Sequence, residues 1–202
     1  MQLPSTSRLR FQLMSDKDAA LLYDVDQDEL VMRYINGGQK SSWQDIEQRM
    51  LPRMNAYRNP TLGYGIYAVY AQPTFALSAS PFELNSENYM GWILVRPMNF
   101  FTTGAEPDNL ELGWRFKRCC WGQGIASEAA ATVAQYVVQQ RHHQPMAVPI
   151  RALSAIALPD NHASIGVMKK LGMAFVKQYI HYDPLGYHEV VLYQRFVESS
   201  AP

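Results

Sequence analysis

The chain has little cysteine, no net charge and no long apolar run, and each shortage removes a class of protein. Its two cysteines in 202 residues are neighbours, Cys119 and Cys120. Adjacent thiols rarely close a structural disulfide and match no zinc-ligand spacing, so reduced thiols and a cytoplasmic setting are expected. Eighteen Lys and Arg balance eighteen Asp and Glu. With no global field to gather phosphate backbones or anionic lipid, neither nucleic acid nor membrane is an expected partner. The longest apolar-looking run, Gly65 to Ala71, is far below the ~20 residues of a membrane span. Arg8 and Arg10 interrupt the first residues, so no secretory signal is expected. Internal repeats and low-complexity blocks are also missing.

What is present suits a globular protein: 48% of residues are apolar and 18% charged, enough for one sizeable core. One domain over residues 1–202 is the expectation. Leu9, Phe11 and Leu13 alternate with polar residues as in a strand, and Ser15-Asp16 caps a short helix around Ala19 to Tyr23. Trp43, Ile46, Met50, Leu51 and Met54 have helical spacing, with Pro52 placed to bend or interrupt the helix. Tyr64 to Tyr70 and Met90 to Val95 read as strands, and Leu110, Leu112, Trp114 and Phe116 give another with a period of two.

From Ile125 the period changes. Ala126, Ala129, Ala130, Val133, Ala134, Val137 and Val138 form one helical stripe. A buried strand over Ile150 to Leu158 follows, then a helix capped by Asp160 or Asn161 that ends at Gly172. Phe175 to Tyr182 and Val190 to Phe196 close the chain as a hairpin through Asp183-Pro184-Leu185-Gly186. The class is α/β, with strands before, between and after helices.

The segment LELGWRFKRCCWGQGIASEAA, Leu110 to Ala130, is a strand, a glycine turn and a helix. Glycines permit positive φ, and the first amides of a helix lack intrahelical acceptors, so the bend can present N–H donors and a positive dipole end to an anion. A plain strand-to-helix turn is the alternative reading. Two phosphate loops fail by spacing: Ser127 stands where the dinucleotide fingerprint needs its third Gly, and no Gly-Lys-Ser/Thr is present for a Walker loop.

Gly122-Gln123-Gly124 matches the core of the pyrophosphate loop of the GNAT superfamily of N-acetyltransferases. ELGWRF followed by WGQGIASEA resembles the strand, loop and helix of the branch that includes RimJ and RimL. DNHASIGVMKKLGMAFV resembles that branch's next signature, Asn-x-x-Ser and then Lys-Leu-Gly. Cys119 departs from the Gln or Arg usual at its position, and Arg118 beside it could compensate.

The resemblance implies a GNAT-like fold, a mixed and mostly antiparallel sheet flanked by helices. It also implies acetyl-CoA as donor, a primary amine as acceptor and direct attack in a ternary complex. Protein N-terminal α-amines are the first acceptor class and small-molecule amines the competitor. Implied cofactor contacts are Arg118, Cys119, Cys120, Trp121, Gly122, Gln123, Gly124, Ile125 and Ala126 for the diphosphate, with Asn161 as a further contact. Leu112, Gly113 and Trp114 would hold the acetyl carbonyl through backbone N–H, with Gly113 allowing a bulge or close approach.

An alkylammonium must lose a proton before attack, and Glu111, opposite Leu110 and Leu112, is the candidate base. Its other reading is a solvent-facing carboxylate. Met168 stands where many members carry a Tyr, so Ser164 is the candidate donor to the departing thiolate; backbone bonding in the first helical turn is its alternative. Asn161 is also readable as a helix cap, and Glu128 as support for the helix start.

Acceptor walls are expected from Trp43 to Arg58, Pro97 to Asn109 and Asp183 to His188. A noncatalytic acyl-CoA-binding or sensor module of the same fold is the rival reading, with a nucleotide-binding oxidoreductase third. No metal is expected: Asp24, Asp26 and Asp28 imitate a calcium loop, but Glu29 replaces its glycine, and His142-His143 lacks ligand partners. Covalent catalysis by either cysteine lacks a base. Monomer and homodimer are both open.

Overall fold

A computed structural model of the chain describes residues 3–75, 88–102, 104–142, 148–183 and 186–197. The elements are β1 (Leu9–Leu13), α1 (Ala19–Val25), α2 (Glu29–Asn36), α3 (Trp43–Asp45), α4 (Leu51–Tyr57), β2 (Gly65–Ala71), β3 (Tyr89–Met98), β4 (Glu106–Phe116), α5 (Ile125–His142), β5 (Ala152–Ala157), α6 (His162–Lys170), β6 (Ala174–Asp183) and β7 (Gly186–Phe196). Seven strands make one sheet in the order β1-β2-β3-β4-β5-β7-β6. Antiparallel pairing prevails, and the parallel pair is β4 with β5. The expected mixed, mostly antiparallel sheet flanked by helices is therefore present.

Side-chain alternation sorts the sheet into two packed faces. Leu110, Leu112 and Phe116 of β4 pack with Ile125, Ala129, Ala130 and Val133 of α5. The small alanines let α5 lie close to the strands. On the opposite face Ile66, Ala68 and Trp92 pack with Leu22, Val25, Ile46 and Met54 from the first helices.

One local expectation needed correction. Pro52 does not break its helix: a π-helical turn over Ile46–Met50 joins α3 to α4, and Pro52 falls in the first turn of α4. Its missing N–H and ring, which would crowd the carbonyl four residues back, are accommodated by that widened turn. Gly113 makes the close approach rather than a bulge. It pairs in register with Leu94, and the β3/β4 shift lies between Pro97 and Met98; a Cβ at Gly113 would come within 3.2 Å of the Leu94 side chain. The helix α2, capped by Asp28 at its start and by left-handed Gly37 at its end, follows the three aspartates directly.

Asn161, not Asp160, caps α6, its side chain accepting from the Ser164 amide. Gly172 ends that helix at φ +76°. The Gly172 amide donates to the Lys169 carbonyl and that of Met173 to Met168, the paired bonds of a left-handed cap. Pro184, Leu185 and His143 lie outside the described residues.

Candidate active site

Parallel strands β4 and β5 stay paired for only three residues, Asn109 with Ala152, Leu110 with Leu153 and Glu111 with Ser154. Beyond that point β4 continues to Phe116 and β5 to Ala157, and the two diverge. Among the described residues the strand edge from Leu112 to Phe116 has no partner strand on that side, so its backbone groups face the opening. Trp114 spans the gap: its indole Nε1 donates to Ser164 Oγ at 3.2 Å. Because Ser164 Oγ accepts there, its own hydrogen is available for another acceptor.

A cavity of about 430 Å³ occupies this opening. Trp114, Arg115 and Phe116 wall one side, Trp121, Gly122, Gly124, Ile125 and Ala126 another, and Asn161 with Ser164 and Lys170 of α6 a third. Gly122 and Gly124 sit at φ +74° and +75°, a region disfavoured for residues with a Cβ. A Cβ at Gly122 would meet no protein atom within 4 Å, and at Gly124 only Arg8 at 3.7 Å. These glycines serve the backbone path and keep the space above the turn open. The Glu128 amide makes the first α5 bond, to the Gly124 carbonyl at 3.0 Å, so the amides of Ile125, Ala126 and Ser127 precede the helical ladder. A head-of-helix amide cluster bordering open space fits a diphosphate.

The turn is held from below. Arg8 pairs with Glu128 and donates from Nη1 to the Gln123 carbonyl at 3.0 Å, while Thr6 donates to Glu128 at 2.5 Å. Gln123 Nε2 donates back to the Cys119 carbonyl at 2.8 Å. Glu128 thus supports the helix start through Arg8. The three aspartates that imitated a calcium loop serve the same region: Lys117 pairs with Asp24 at 2.7 Å, Arg115 with fully buried Asp26, and Arg118 with Asp28 at 3.0 Å. They bind α1 and α2 to the strand end and turn. Among the described residues no group of three or more His, Cys, Asp or Glu could hold a metal ion.

Glu111 projects to the other face and is only 7% exposed, which removes the solvent-facing alternative. Arg96 grips it with two bonds, Nε to Oε2 at 2.8 Å and Nη2 to Oε1 at 2.9 Å. Phe100 and Phe101 stand edge-on to Tyr57, and the Arg53 guanidinium lies 3.8 Å from the centre of the Phe101 ring. Arg53 also donates to Asp183 at 2.7 Å. Residues from α4, the β3–β4 loop and the end of β6 therefore converge. Burial, opposed in part by Arg96, pushes the Tyr57 phenol above its ordinary pKa. Burial, then the carboxylates of Glu111 and Glu106, raises Tyr179. Both phenols remain protonated donors at neutral pH.

Of the expected contacts, Trp114, Cys120, Trp121, Gly122, Gly124, Ile125, Ala126, Asn161 and Ser164 line the cavity. Leu112, Gly113, Arg118, Cys119 and Gln123 do not: Arg118 pairs through Nε with Asp28, and the Gln123 side chain ties the turn to Cys119. Glu111 lies apart from the glycine turn despite its proximity in sequence. The α2 wall of Leu30, Val31, Tyr34 and Ile35 was missed, although its apolar spacing after Asp28 was a signal. Burial, followed by the neighbouring Cys119, pushes the Cys120 thiol far up. Iodoacetamide is accordingly expected to label half-buried Cys119 in the native protein and Cys120 only after unfolding. Equal native labelling by mass mapping would contradict this.

A sheet that splays after a brief parallel contact, with a glycine turn and helix start facing the gap, defines an acyltransferase fold. Residues 8–174 match the acetyltransferase (GNAT) domain family, and the chain belongs to it. The Bacillus subtilis (strain 168) protein YkkB is 28% identical over 177 residues, 85% of each chain. A GNAT-family acetyltransferase from Bacillus anthracis superposes with a TM-score of 0.67 at 19% identity, covering 97% of this chain and 98% of the other. RimL, an alpha-N-protein acetyltransferase solved with coenzyme A, gives 0.64 at 15% identity with 98% of each chain covered. The aminoglycoside acetyltransferase AAC(6')-Ib, also solved with coenzyme A, gives 0.65 at 14% identity over 93% of this chain and 94% of its own. At these identities the structural likeness is one of fold.

Proposed function

We propose that the protein transfers the acetyl group of acetyl-CoA to a primary amine, with protein N-terminal α-amines as the first acceptor class and small-molecule amines as the second. The carrying observation is the parting of β4 and β5 after Glu111 and Ser154, which leaves an unpaired strand edge beside an amide-lined turn. Acetyl-CoA supplies an activated thioester. The turn amides from Gly122 to Ala126 hold its diphosphate, Asn161 borders its arm, and the free edge of β4 from Leu112 to Trp114 offers N–H to the carbonyl oxygen.

The amine nitrogen bonds to the carbonyl carbon as the carbon–sulfur bond breaks. Glu111 receives the amine's proton, directly or through water; its carboxylate has about four lone-pair sites, and Arg96 engages both oxygens with one bond each. The Ser164 hydroxyl, already accepting from Trp114, donates to the leaving sulfur. A noncatalytic acyl-CoA-binding module remains the second reading, favoured by the close Arg96 clamp on the base.

Thiol release from acetyl-CoA, screened against peptide N-termini, polyamines, amino acids and aminoglycosides, tests the reading. Turnover with any of these amines supports transfer, whereas tight CoA binding without turnover on the whole panel supports the binding module. Gly122→Ala and Gly124→Ala each force a side chain into positive φ at about 1–2 kcal/mol. By calorimetry each is expected to weaken CoA binding about tenfold; unchanged affinity would remove the turn from the site.

A further inference from the structure

The sheet ends at β6, and no described strand or helix pairs with its outer edge. Natural edges are usually short, charged or bulged to prevent association. Here β6 has ten residues, and its one register shift lies near its start, between Phe175 and Lys177. The stretch from Lys177 to Asp183 is regular. Phe175 is 56% exposed, Ile180 44% and Tyr182 67%, with Tyr187 of β7 71% exposed beside them. Cross-strand pairs Phe175 with Tyr193, Ile180 with Glu189 and Tyr182 with Tyr187 put these side chains on one face. On that face Val191 and Tyr193 belong to one buried cluster with Met168 and Leu171, and Ile180, Tyr182 and Tyr187 do not.

We propose that this edge and face are the dimer interface of the protein, with a second copy as occupant. Two β6 strands pair antiparallel about a two-fold axis at Ile180, joining the sheets into one. The sequence is self-complementary in that register. Ile180 meets its counterpart, Gln178 lies opposite Tyr182, and Lys177 lies opposite Asp183, so each copy contributes a cation and an anion to two symmetric ion pairs. Pairing the open edges from Lys177 to Asp183 sets Ile180 and Tyr182, 44% and 67% exposed, beside the partner's strand and adds inter-strand hydrogen bonds to the two ion pairs. Asp183 is already held by Arg53 of α4, so the partner's Lys177 would complete a charge cluster at the rim of the acceptor wall.

Sedimentation velocity and light scattering on the full chain test this. The wild type is expected to be a dimer at micromolar concentration. Ile180→Lys, which sets two cations on the axis, is expected to weaken dimerisation at least about a hundredfold, with unchanged circular dichroism. Val148→Lys, at an exposed apolar residue elsewhere, is expected to leave the dimer intact. Lys177→Glu should dissociate it, and Lys177→Glu with Asp183→Lys should restore it, which fixes the register. A monomeric wild type, or a dimer that survives Ile180→Lys, overturns the proposal. Because the readout is mass, the outcome is independent of whether acetyl transfer is found.

Discussion

Glu111→Gln is expected to lower kcat for acetyl transfer by about a hundred- to a thousandfold, the usual worth of a general base, while CoA affinity stays within about twofold. The amide introduced there would keep an oxygen for Arg96 but could not take a proton. Being near-isosteric, it also preserves volume between Arg96 and the Tyr57–Phe101 cluster, so circular dichroism should match the wild type. The pairing makes a sharper contrast available. Arg96→Lys loses one of the two bonds that orient the carboxylate and is expected to raise KM and lower kcat together, since a point charge cannot reproduce the fork. Unchanged turnover in Glu111→Gln would take the base role from this residue and leave the buried pair as a structural clamp.

The largest stability loss is expected at Asp26. This carboxylate is fully buried, pairs with Arg115 and accepts from Ser41 Oγ at 2.6 Å. Asp26→Ala strands the Arg115 guanidinium, whose side chain is 9% exposed, beside the Trp92 ring 5.0 Å away. Removing one partner of such a pair costs about 3–5 kcal/mol because the remaining charge stays buried. For a chain of this size that is a fall in Tm of about 10 °C, measurable by calorimetry. A shift under about 2 °C would mean that water reaches Arg115. Since Arg115 also lines the cavity, weaker CoA binding should accompany the loss, whereas Asp24→Ala, at a more exposed pair, should cost far less.

The strongly periodic elements were legible. The stripe from Ile125 to Val138 faces the sheet because residues three and four apart share a helix face, and Leu110 to Phe116 alternates because a strand turns each side chain over. The cap at Asn161 and the left-handed Gly172 were readable from local backbone chemistry alone. The ladder Asp24-Asp26-Asp28 was not. Its meaning depends on Arg115, Lys117 and Arg118, about ninety residues away, and it hid α2, whose eight residues begin just after the last of those aspartates.

The fate of Glu111 divides the two kinds of information. Its place on the face opposite Leu110 followed from a period of two, and so did its separation from the α5 core. Its partner did not: Arg96 reaches it because β3 and β4 pair with Arg96 opposite Glu111, a register that no local pattern announces. The glycine turn was likewise written in residues 121–124, since positive φ is a property of the residue itself. Whether that turn faces a gap was decided by β4 and β5 separating after three pairs, which depends on how the strands twist and what packs between them. Local conformational preference acts over a few residues and travels with the chain; the opening, the acidic ladder and the bare β6 edge arise from contacts between distant segments, and only the folded arrangement of those segments could place them.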